Sequence, residues 1–341
     1  MKILYPFVAV LGLIVIAAVG SQIGMEALFG IVFPYLALLV FIGGFVNKVV
    51  GWAKSPVPFR IPTTCGQANS LPWIKQDVLD CPSTMPGVIM RMALEILLFR
   101  SLFRNTQADV YDGPKLRYGS SKYLWLFGIL FHYSFLVILV RHLRLFSDPI
   151  PFFVKILEFA DGFLQIGLPH VYQSDLVILG AIGLLFLRRI MLTNVRYISL
   201  PADYFPLFLI FAIAATGMLM RYVTRVDVVN VKQLAVGLTT LHPVLAPDLG
   251  ALFYIHIFLV CTLLVYFPFS KLMHMGGVFM SPTRNLANNS RMVRHINPWN
   301  DPNLKPHSYA AYEDEFREFM VGADIPVEKE LPAETETPAA E

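Results

Sequence analysis

Four of the eight histidines lie in strongly apolar stretches, where an ionisable side chain is costly and therefore indicates a function. His132 and His142 are ten residues apart in one stretch, and His256 and His274 are eighteen apart in another. On a helix, ten residues rise about 15 Å and rotate the side chain by about 80°, whereas eighteen residues make five whole turns over about 27 Å. Each stretch can therefore present two histidines, at two depths, to the interior of a helix bundle.

Neutral imidazole is a good axial ligand for haem iron, and two histidines on each of two facing helices can hold two haem b groups. The same residues also fit a path for protons or metal ions, or hydrogen bonds between helices. A histidine-dependent transporter is the alternative function, although we find no convincing internal repeat of the kind transporters often show. The chain has no nucleophile–base pair, Walker loop, dinucleotide fingerprint or CxxCH motif, so we predict no catalytic residues of its own.

The composition predicts an all-α integral membrane protein with six transmembrane helices. Hydrophobic residues make up 56% of the chain and charged residues only 15%, too few to cover a soluble domain. A membrane-spanning helix needs roughly 20 apolar residues. Six stretches approach that length, at approximately 4–20, 27–47, 123–143, 173–191, 204–221 and 250–273.

Lysine and arginine residues predict the orientation, because they accumulate in cytoplasmic loops. With six spans, the cation-rich segments 48–122, 188–196 and 271–294 fall on one side, which places both termini in the cytoplasm and the chain in the cell membrane. The histidines then pair as His132 with His274 near the cytoplasm and His142 with His256 near the outer face. The unequal spacings differ by about 12 Å of helix rise; tilt and a bend at Pro268 can absorb part of this difference.

The remaining segments suggest surface and docking elements. Val88–Phe103 and Pro151–Leu168 mix apolar and charged residues, which predicts amphipathic helices on the cytoplasmic and outer membrane surfaces.

We predict three regions: an additional N-terminal transmembrane helix (1–26), a two-haem core (27–280, with a cytoplasmic insertion at about 48–122) and a cytoplasmic tail (281–341). The tail contains a helix-like acidic run, Tyr309–Met320, and ends in residues unable to bury a core, so it suits an arm that docks on a partner. Cys65, Cys81 and Cys261 form no metal or disulfide motif and are predicted to be unpaired thiols.

Two stretches around the histidines resemble the gamma subunit of respiratory nitrate reductase. FHYSFLVILVRH and YIHIFLVCTLLVYFPFSKLMH are similar to the two helices with which that cytochrome b holds its two haems, including histidines ten and eighteen residues apart. The resemblance covers the second to sixth predicted spans. The longer motifs SPVPFRIPTTCGQ, SLPWIK, LLFRSLFRNT, RHLRLF, YFPFSKLMHMGGVF, SPTRN and HINPWN extend it over nearly the whole chain, to the M-subunit family of the DsrMKJOP membrane complex associated with dissimilatory sulfite reduction.

That resemblance implies an electron-transfer subunit with two haem b groups, held by His132 with His274 and by His142 with His256. It further implies a cytoplasmic iron–sulfur partner similar to heterodisulfide reductase, other subunits of the complex, and menaquinone as the membrane electron carrier. We expect a quinone beside the outer haem, where Arg141, Arg144 and Lys155 are candidate hydrogen-bond donors. For each of these three cations, contact with lipid headgroups is an equally good interpretation.

Overall fold

The computed structural model describes residues 1–55, 69, 71–162, 170–246, 248–292, 303, 305 and 307–330, and the chain divides into two compact units, Met1–Met292 and Val293–Glu341. The helices of the first unit are α1 (Leu4–Gln22), α2 (Phe33–Ala53), α3 (Met85–Leu98), α4 (Arg100–Arg104), α5 (Lys122–Phe146), α6 (Phe152–Asp161), α7 (Gln173–Met191), α8 (Thr193–Ile198), α9 (Pro201–Met218), α10 (Val228–Thr239), α11 (Ala251–Tyr266), α12 (His274–Met280) and α13 (Pro282–Asn285). Between α4 and α5, strands β1 (Thr106–Tyr111) and β2 (Lys115–Ser120) form an antiparallel hairpin. The second unit contains α14 (Tyr309–Gly322).

Within the described residues, five helices are long and apolar enough to cross a membrane. With their flanking π-helical or 3-10 turns they are Leu4–Gln22, Leu28–Ala53, Lys122–Phe146, Pro201–Thr224 and Ala251–Phe269. Five of the six predicted spans are therefore confirmed as helices of membrane-spanning length and composition. At the remaining predicted span, the fourth along the chain (173–191), α7 is a 19-residue helix with Asp175 in its first turn and Arg188 and Arg189 in its last.

The long helices pack into one bundle around a shared apolar core. α11 contacts α1, α2 and α9, while α7 bridges α9 and α5, and α10 lies against α5. Phe29, Leu209, Leu234 and Leu259 are almost completely buried between these helices. Large apolar side chains also cover the outside of the bundle; Leu39, for example, is 70% exposed. In a membrane such residues contact lipid rather than water, as expected for spanning helices.

The last long helix does not continue to His274, so the expectation that His256 and His274 lie on one unbroken helix is wrong. α11 ends at Tyr266, and two 3-10 turns, Phe267–Phe269 and Lys271–Met273, precede α12, which begins at His274. Pro268 is buried in the first turn, where its missing N–H prevents helical hydrogen bonding from continuing. The chain therefore changes direction before His274, which removes the difficulty of matching the two unequal helical rises.

The predicted surface helices form in part. The apolar stretch Val88–Phe103 becomes two helices, α3 and α4, separated at Phe99, whose left-handed backbone (φ 49°) interrupts the α-helix. Pro151–Leu168 yields α6, while 163–169 lie outside the described residues. The hairpin and α10 were not anticipated, although the Asp112–Gly113 turn, with positive φ at both residues, is a recognised hairpin signal.

Candidate functional site

His132 and His274 face one another at one end of the bundle. Their ring centroids are 6.0 Å apart and the ring planes are nearly perpendicular, at 84°. His132 lies on α5, whereas the turns after α11 bring His274 to it from the other side of the bundle. A metal–imidazole nitrogen bond of about 2 Å on each side of one ion would separate the ring centroids by about 6 Å. The observed centroid separation therefore matches the distance expected for two imidazoles that would share one metal ion.

His142 and His256 lie together further along the bundle. His142 is three turns beyond His132 on α5, and His256 on α11 is within electrostatic range of it. The pairs His132/His274 and His142/His256, which the six-span topology predicts, are therefore the pairs that lie near one another in the structure. Their role as haem ligands remains a prediction.

Three of the four histidines direct Nδ1 at a backbone carbonyl oxygen. The distances are 2.7 Å from His132 to Gly128, 2.7 Å from His142 to Ile138, and 2.9 Å from His274 to Lys271. A carbonyl oxygen only accepts hydrogen bonds, so Nδ1 carries the proton and Nε2 keeps its lone pair. Each of these imidazoles is therefore oriented and protonated as a metal ligand through Nε2 requires.

In His256 the hydrogen-bond partner of Nδ1 is a side chain on α9. Its Nδ1 lies 2.9 Å from Thr216 Oγ1. The threonine hydroxyl lies 2.8 Å from the carbonyl oxygen of Ala212 and 3.0 Å from that of Ile213, and it donates its single proton to these carbonyls. Thr216 must then accept the hydrogen bond from His256 Nδ1–H, which again leaves Nε2 as the free lone pair. Thr216 was not identified from the sequence, because only the packing of α9 on α11 brings it to His256.

Close packing fixes the imidazole positions. The rings of Phe99 and Phe131 each lie 5.0 Å from that of His132 in edge-to-face contact. Phe99 holds this position with a left-handed backbone, a conformation that for a bulky residue costs about 1–3 kcal/mol and needs support from its surroundings. At the other pair, a Cβ added to Gly217 would lie 3.3 Å from His256 Cε1, so a side chain there would press on the imidazole.

Neither pair has the further ligands of an ordinary protein metal site. Among the described residues, no group of three or more His, Cys, Asp or Glu side chains is placed to hold a metal ion. Protein zinc sites use three or four protein ligands. Two imidazoles facing one another fit a metal ion whose remaining ligands come from another molecule, such as the macrocycle of haem.

A buried ion-pair network lies next to His142. The Arg141 guanidinium is 2.5 Å from Asp161 and 3.1 Å from Asp175, and all three side chains are less than 10% exposed. It also donates to Ser174 Oγ at 2.9 Å and lies over the Tyr172 ring. The network joins α5, α6 and α7, and Tyr222 extends it to the end of α9 by donating to Asp175 at 2.8 Å. Three helices and the last turn of a fourth are thus tied together beside one histidine pair.

The three cations proposed near the quinone differ in their surroundings. Arg141 is committed to the two carboxylates of the buried network. Arg144 is part-exposed and pairs with Glu158 at 2.9 Å. Lys155 is an exposed residue of α6. Arg144 and Lys155 are therefore the two whose side chains reach the surface at this end of the bundle.

Ion pairs also organise the opposite end, near His274. Arg284 and Ser101 both bond the Glu95 carboxylate, and Arg100 and Arg104 both bond Asp80. The Arg284–Glu95 pair connects α3 to α13, after α12, whereas the Asp80 pairs connect α4 to the chain before α3. Cys81 is buried here as a free thiol, as Cys261 is within α11, whereas Cys65 lies outside the described residues.

Comparison with known proteins places these features in context. Residues 117–295 match the family described as nitrate reductase gamma subunit. The chain is 47% identical over 282 residues to the "Hdr-like menaquinol oxidoreductase cytochrome b-like subunit" of Archaeoglobus fulgidus, which covers 81% of this chain and 84% of that protein. The protein of the same description from Archaeoglobus profundus is 44% identical over 278 residues, with coverages of 79% and 82%.

Proposed function

Because this chain belongs to the nitrate reductase gamma subunit family, we propose that it is the membrane cytochrome b subunit of a menaquinol-linked oxidoreductase. In this proposal it exchanges electrons between menaquinone in the membrane and a cytoplasmic iron–sulfur subunit similar to heterodisulfide reductase. The name of its relatives supports a quinol-linked cytochrome b. The motifs that resemble the M-subunit family support assembly with the other subunits of a DsrMKJOP-type, sulfite-reduction-associated complex.

The observation that carries the proposal is the geometry of His132 and His274. Two neutral imidazoles with centroids 6.0 Å apart, each with Nδ1 held by a carbonyl, match the donor set of a bis-histidine haem b. His142 and His256 have the same donor chemistry, with Thr216 as one of the two Nδ1 acceptors. When bound, the haem iron supplies a one-electron carrier at each pair.

We propose that the bundle has six spans, with α7 as the fourth. Asp175 in its first turn and Arg188 and Arg189 in its last leave an apolar centre, and both charge types complement the helix dipole at their ends. This arrangement puts both termini in the cytoplasm, the pair His132/His274 on the cytoplasmic side and the pair His142/His256 on the outer side. The two pairs would then hold their haems at different depths in the membrane.

We place the quinone beside the outer pair, near α6. Arg144 and Lys155 are the side chains that can reach a quinone carbonyl there, because both are at least partly exposed. Arg141 acts on that site indirectly, since its ion pairs with Asp161 and Asp175 position the ends of α5, α6 and α7 around it. The quinone couple exchanges two electrons and two protons, whereas each haem iron carries one electron at a time.

The test is reduction of the purified chain by a menaquinol analogue. We expect the absorption bands of reduced haem b to appear on addition of the quinol and to disappear on reoxidation. A neutral variant of each accessible cation, Arg144→Gln or Lys155→Gln, should slow quinol reduction but leave dithionite-reduced spectra unchanged. Folded protein without a b-haem signal would exclude the proposal and favour an ion-transport role for the histidines.

A further inference from the structure

The second compact unit exposes a stripe of aromatic side chains on α14. Tyr309, Tyr312, Phe316 and Phe319 follow one another at intervals of three and four residues, so at about 100° per residue they lie within about 80° of the helix surface. Their exposed fractions are 53%, 49%, 36% and 75%. The rings of Tyr312 and Phe316 are also in contact, with centroids 4.9 Å apart. A row of four exposed aromatic rings on one helix face is an unusual feature for a solvated surface and is typical of a binding site.

The flank of α14 beside Tyr309 is covered by the chain that follows the helix. Glu313 is 1% exposed and accepts hydrogen bonds from the backbone N–H groups of Glu328, at 2.7 Å, and Lys329, at 2.9 Å. Arg317 pairs with Glu313 and Asp314, and Lys329 reaches Asp314 at 3.1 Å. Met320 is buried as well. The returning segment therefore fixes one face of the helix and leaves the aromatic stripe as the face available to a partner.

The charges of this unit limit what can cover the stripe. Residues 307–330 contain seven carboxylates and only two lysine or arginine side chains. Glu315 is exposed and lies about 40° outside the Phe319 side of the stripe, the edge that the returning segment does not cover. The cytoplasmic leaflet is negatively charged and repels such a surface. A second copy of the same helix would bring like charges together, which is also unfavourable.

We propose that this aromatic stripe docks into an apolar groove rimmed by lysine or arginine residues on the cytoplasmic iron–sulfur subunit. The binding mode is that of a helix in a groove, with Phe316 and Phe319 as anchors and Glu315 facing the basic rim. The identity of the partner rests on the proposed function, whereas the stripe and its acidic edge are features of this chain alone.

The experiment measures how much of the iron–sulfur subunit co-purifies with the full-length chain in lipid nanodiscs. In Phe316→Ala/Phe319→Ala, we expect retention of the subunit to fall roughly tenfold or more, as for loss of aromatic hot-spot residues. Glu315→Lys should also weaken retention, and Glu315→Gln should lie between it and the unsubstituted chain. Phe159→Ala is the matched control, because Phe159 is 81% exposed but belongs to α6 on the predicted outer side.

Two further readouts keep the outcomes separate. Amide protection at Glu328 and Lys329 shows whether the helix and its returning segment remain folded in each variant. The b-haem spectrum is recorded on the same samples, so loss of haem with normal docking would count against the proposed function and not against the stripe. Normal retention of the subunit by the folded aromatic variant would overturn the inference. An unchanged or tighter complex after Glu315→Lys would overturn the basic rim. An altered oligomeric state with normal subunit retention would identify a second copy as the occupant instead.

Discussion

At the scale of single residues, the hydrogen-bond acceptor at Nδ1 sets the tautomer and the ring orientation of each of the four histidines. Backbone carbonyls perform this role for His132, His142 and His274, so side-chain substitution cannot remove them. His256 differs, because the hydroxyl of Thr216 on α9 lies within hydrogen-bond distance of its Nδ1, beside the backbone of Ile213. A substitution at Thr216 can therefore test the pair His142/His256 while all four proposed ligands stay in place.

Thr216→Val removes the hydroxyl acceptor but preserves the branched shape of the side chain. Loss of such a partner typically lowers metal affinity or activity about 10- to 100-fold. We therefore expect the haem held by His142 and His256 to show weaker retention and a shifted midpoint potential, while the other haem is unchanged. Spectroscopic redox titration measures both values.

Thr262→Val is the matched control for that substitution. Thr262 lies on α11, one and a half turns beyond Thr216's partner His256, and its hydroxyl bonds only the Phe258 carbonyl in the described contacts, at 2.9 Å. If Thr216→Val and Thr262→Val gave the same spectra and potentials, the hydrogen bond to His256 would have no role in holding the cofactor.

At the scale of secondary-structure elements, the network around Arg141 holds the ends of α5, α6 and α7 together. Removing one partner of a buried ion pair leaves an uncompensated charge and typically costs about 3–5 kcal/mol. We expect Arg141→Gln to lower the free energy of unfolding of the chain in detergent by about 3 kcal/mol, since Asp161 and Asp175 would both be left without their cation.

The exposed pair of Asp148 and Lys232 provides the comparison. Asp148 is 79% exposed and lies 3.5 Å from Lys232, so Asp148→Asn should change the unfolding free energy by about 0–1 kcal/mol. Equal effects of the two substitutions in denaturant or thermal unfolding would show that burial of the Arg141 network does not stabilise this end of the bundle.

The helix α14 should respond to acid through Glu313. Hydrogen bonds from the backbone N–H groups of Glu328 and Lys329, together with Arg317, lower the pKa of the Glu313 carboxyl below its usual range. A carboxyl whose pKa is lower in the folded state contributes stability above its unfolded pKa, and this contribution is lost as the pH falls through the folded pKa. We expect amide protection at Glu328 and Lys329 to decline below about pH 4.5, the ordinary range of a glutamate.

In Glu313→Gln the same amides should be less protected at neutral pH and insensitive to acid in that window. Protection that falls with acid equally in Glu313→Gln would mean that another group controls the segment.

At the scale of the whole molecule, the candidate functional residues can be predicted from the sequence, but only part of their arrangement in space can. The four histidines could be identified because polar groups in apolar helices are rare, and their order along alternating spans gives the pairing that the structure brings together. From the sequence, only a bend at Pro268 is predicted, whereas α11 ends at Tyr266. The two 3-10 turns that follow depend on how the next segment packs. Arg141 with Asp161 and Asp175, and Thr216 with His256, join residues distant in the chain, and no local pattern in a single sequence indicates such contacts.

The proposed topology makes its own prediction. With six spans, a reporter fused after Glu341 should be on the cytoplasmic side, together with the N-terminus, and one inserted at Gly24 should be on the outer side. If α7 did not cross, the two termini would lie on opposite sides of the membrane. Paired cytoplasmic and exported reporter fusions decide between these arrangements.

The central claim is that the four histidines hold two haem b groups in the pairs His132/His274 and His142/His256. The most direct measurement is the haem content and reduced-minus-oxidised spectrum of the four single His→Ala variants. We predict two haem b groups in the unsubstituted chain, loss of one spectral component in both His132→Ala and His274→Ala, and loss of the other in both His142→Ala and His256→Ala. Folded protein with full haem content in any of these variants, or loss of the same component in His132→Ala and His256→Ala, would contradict the account.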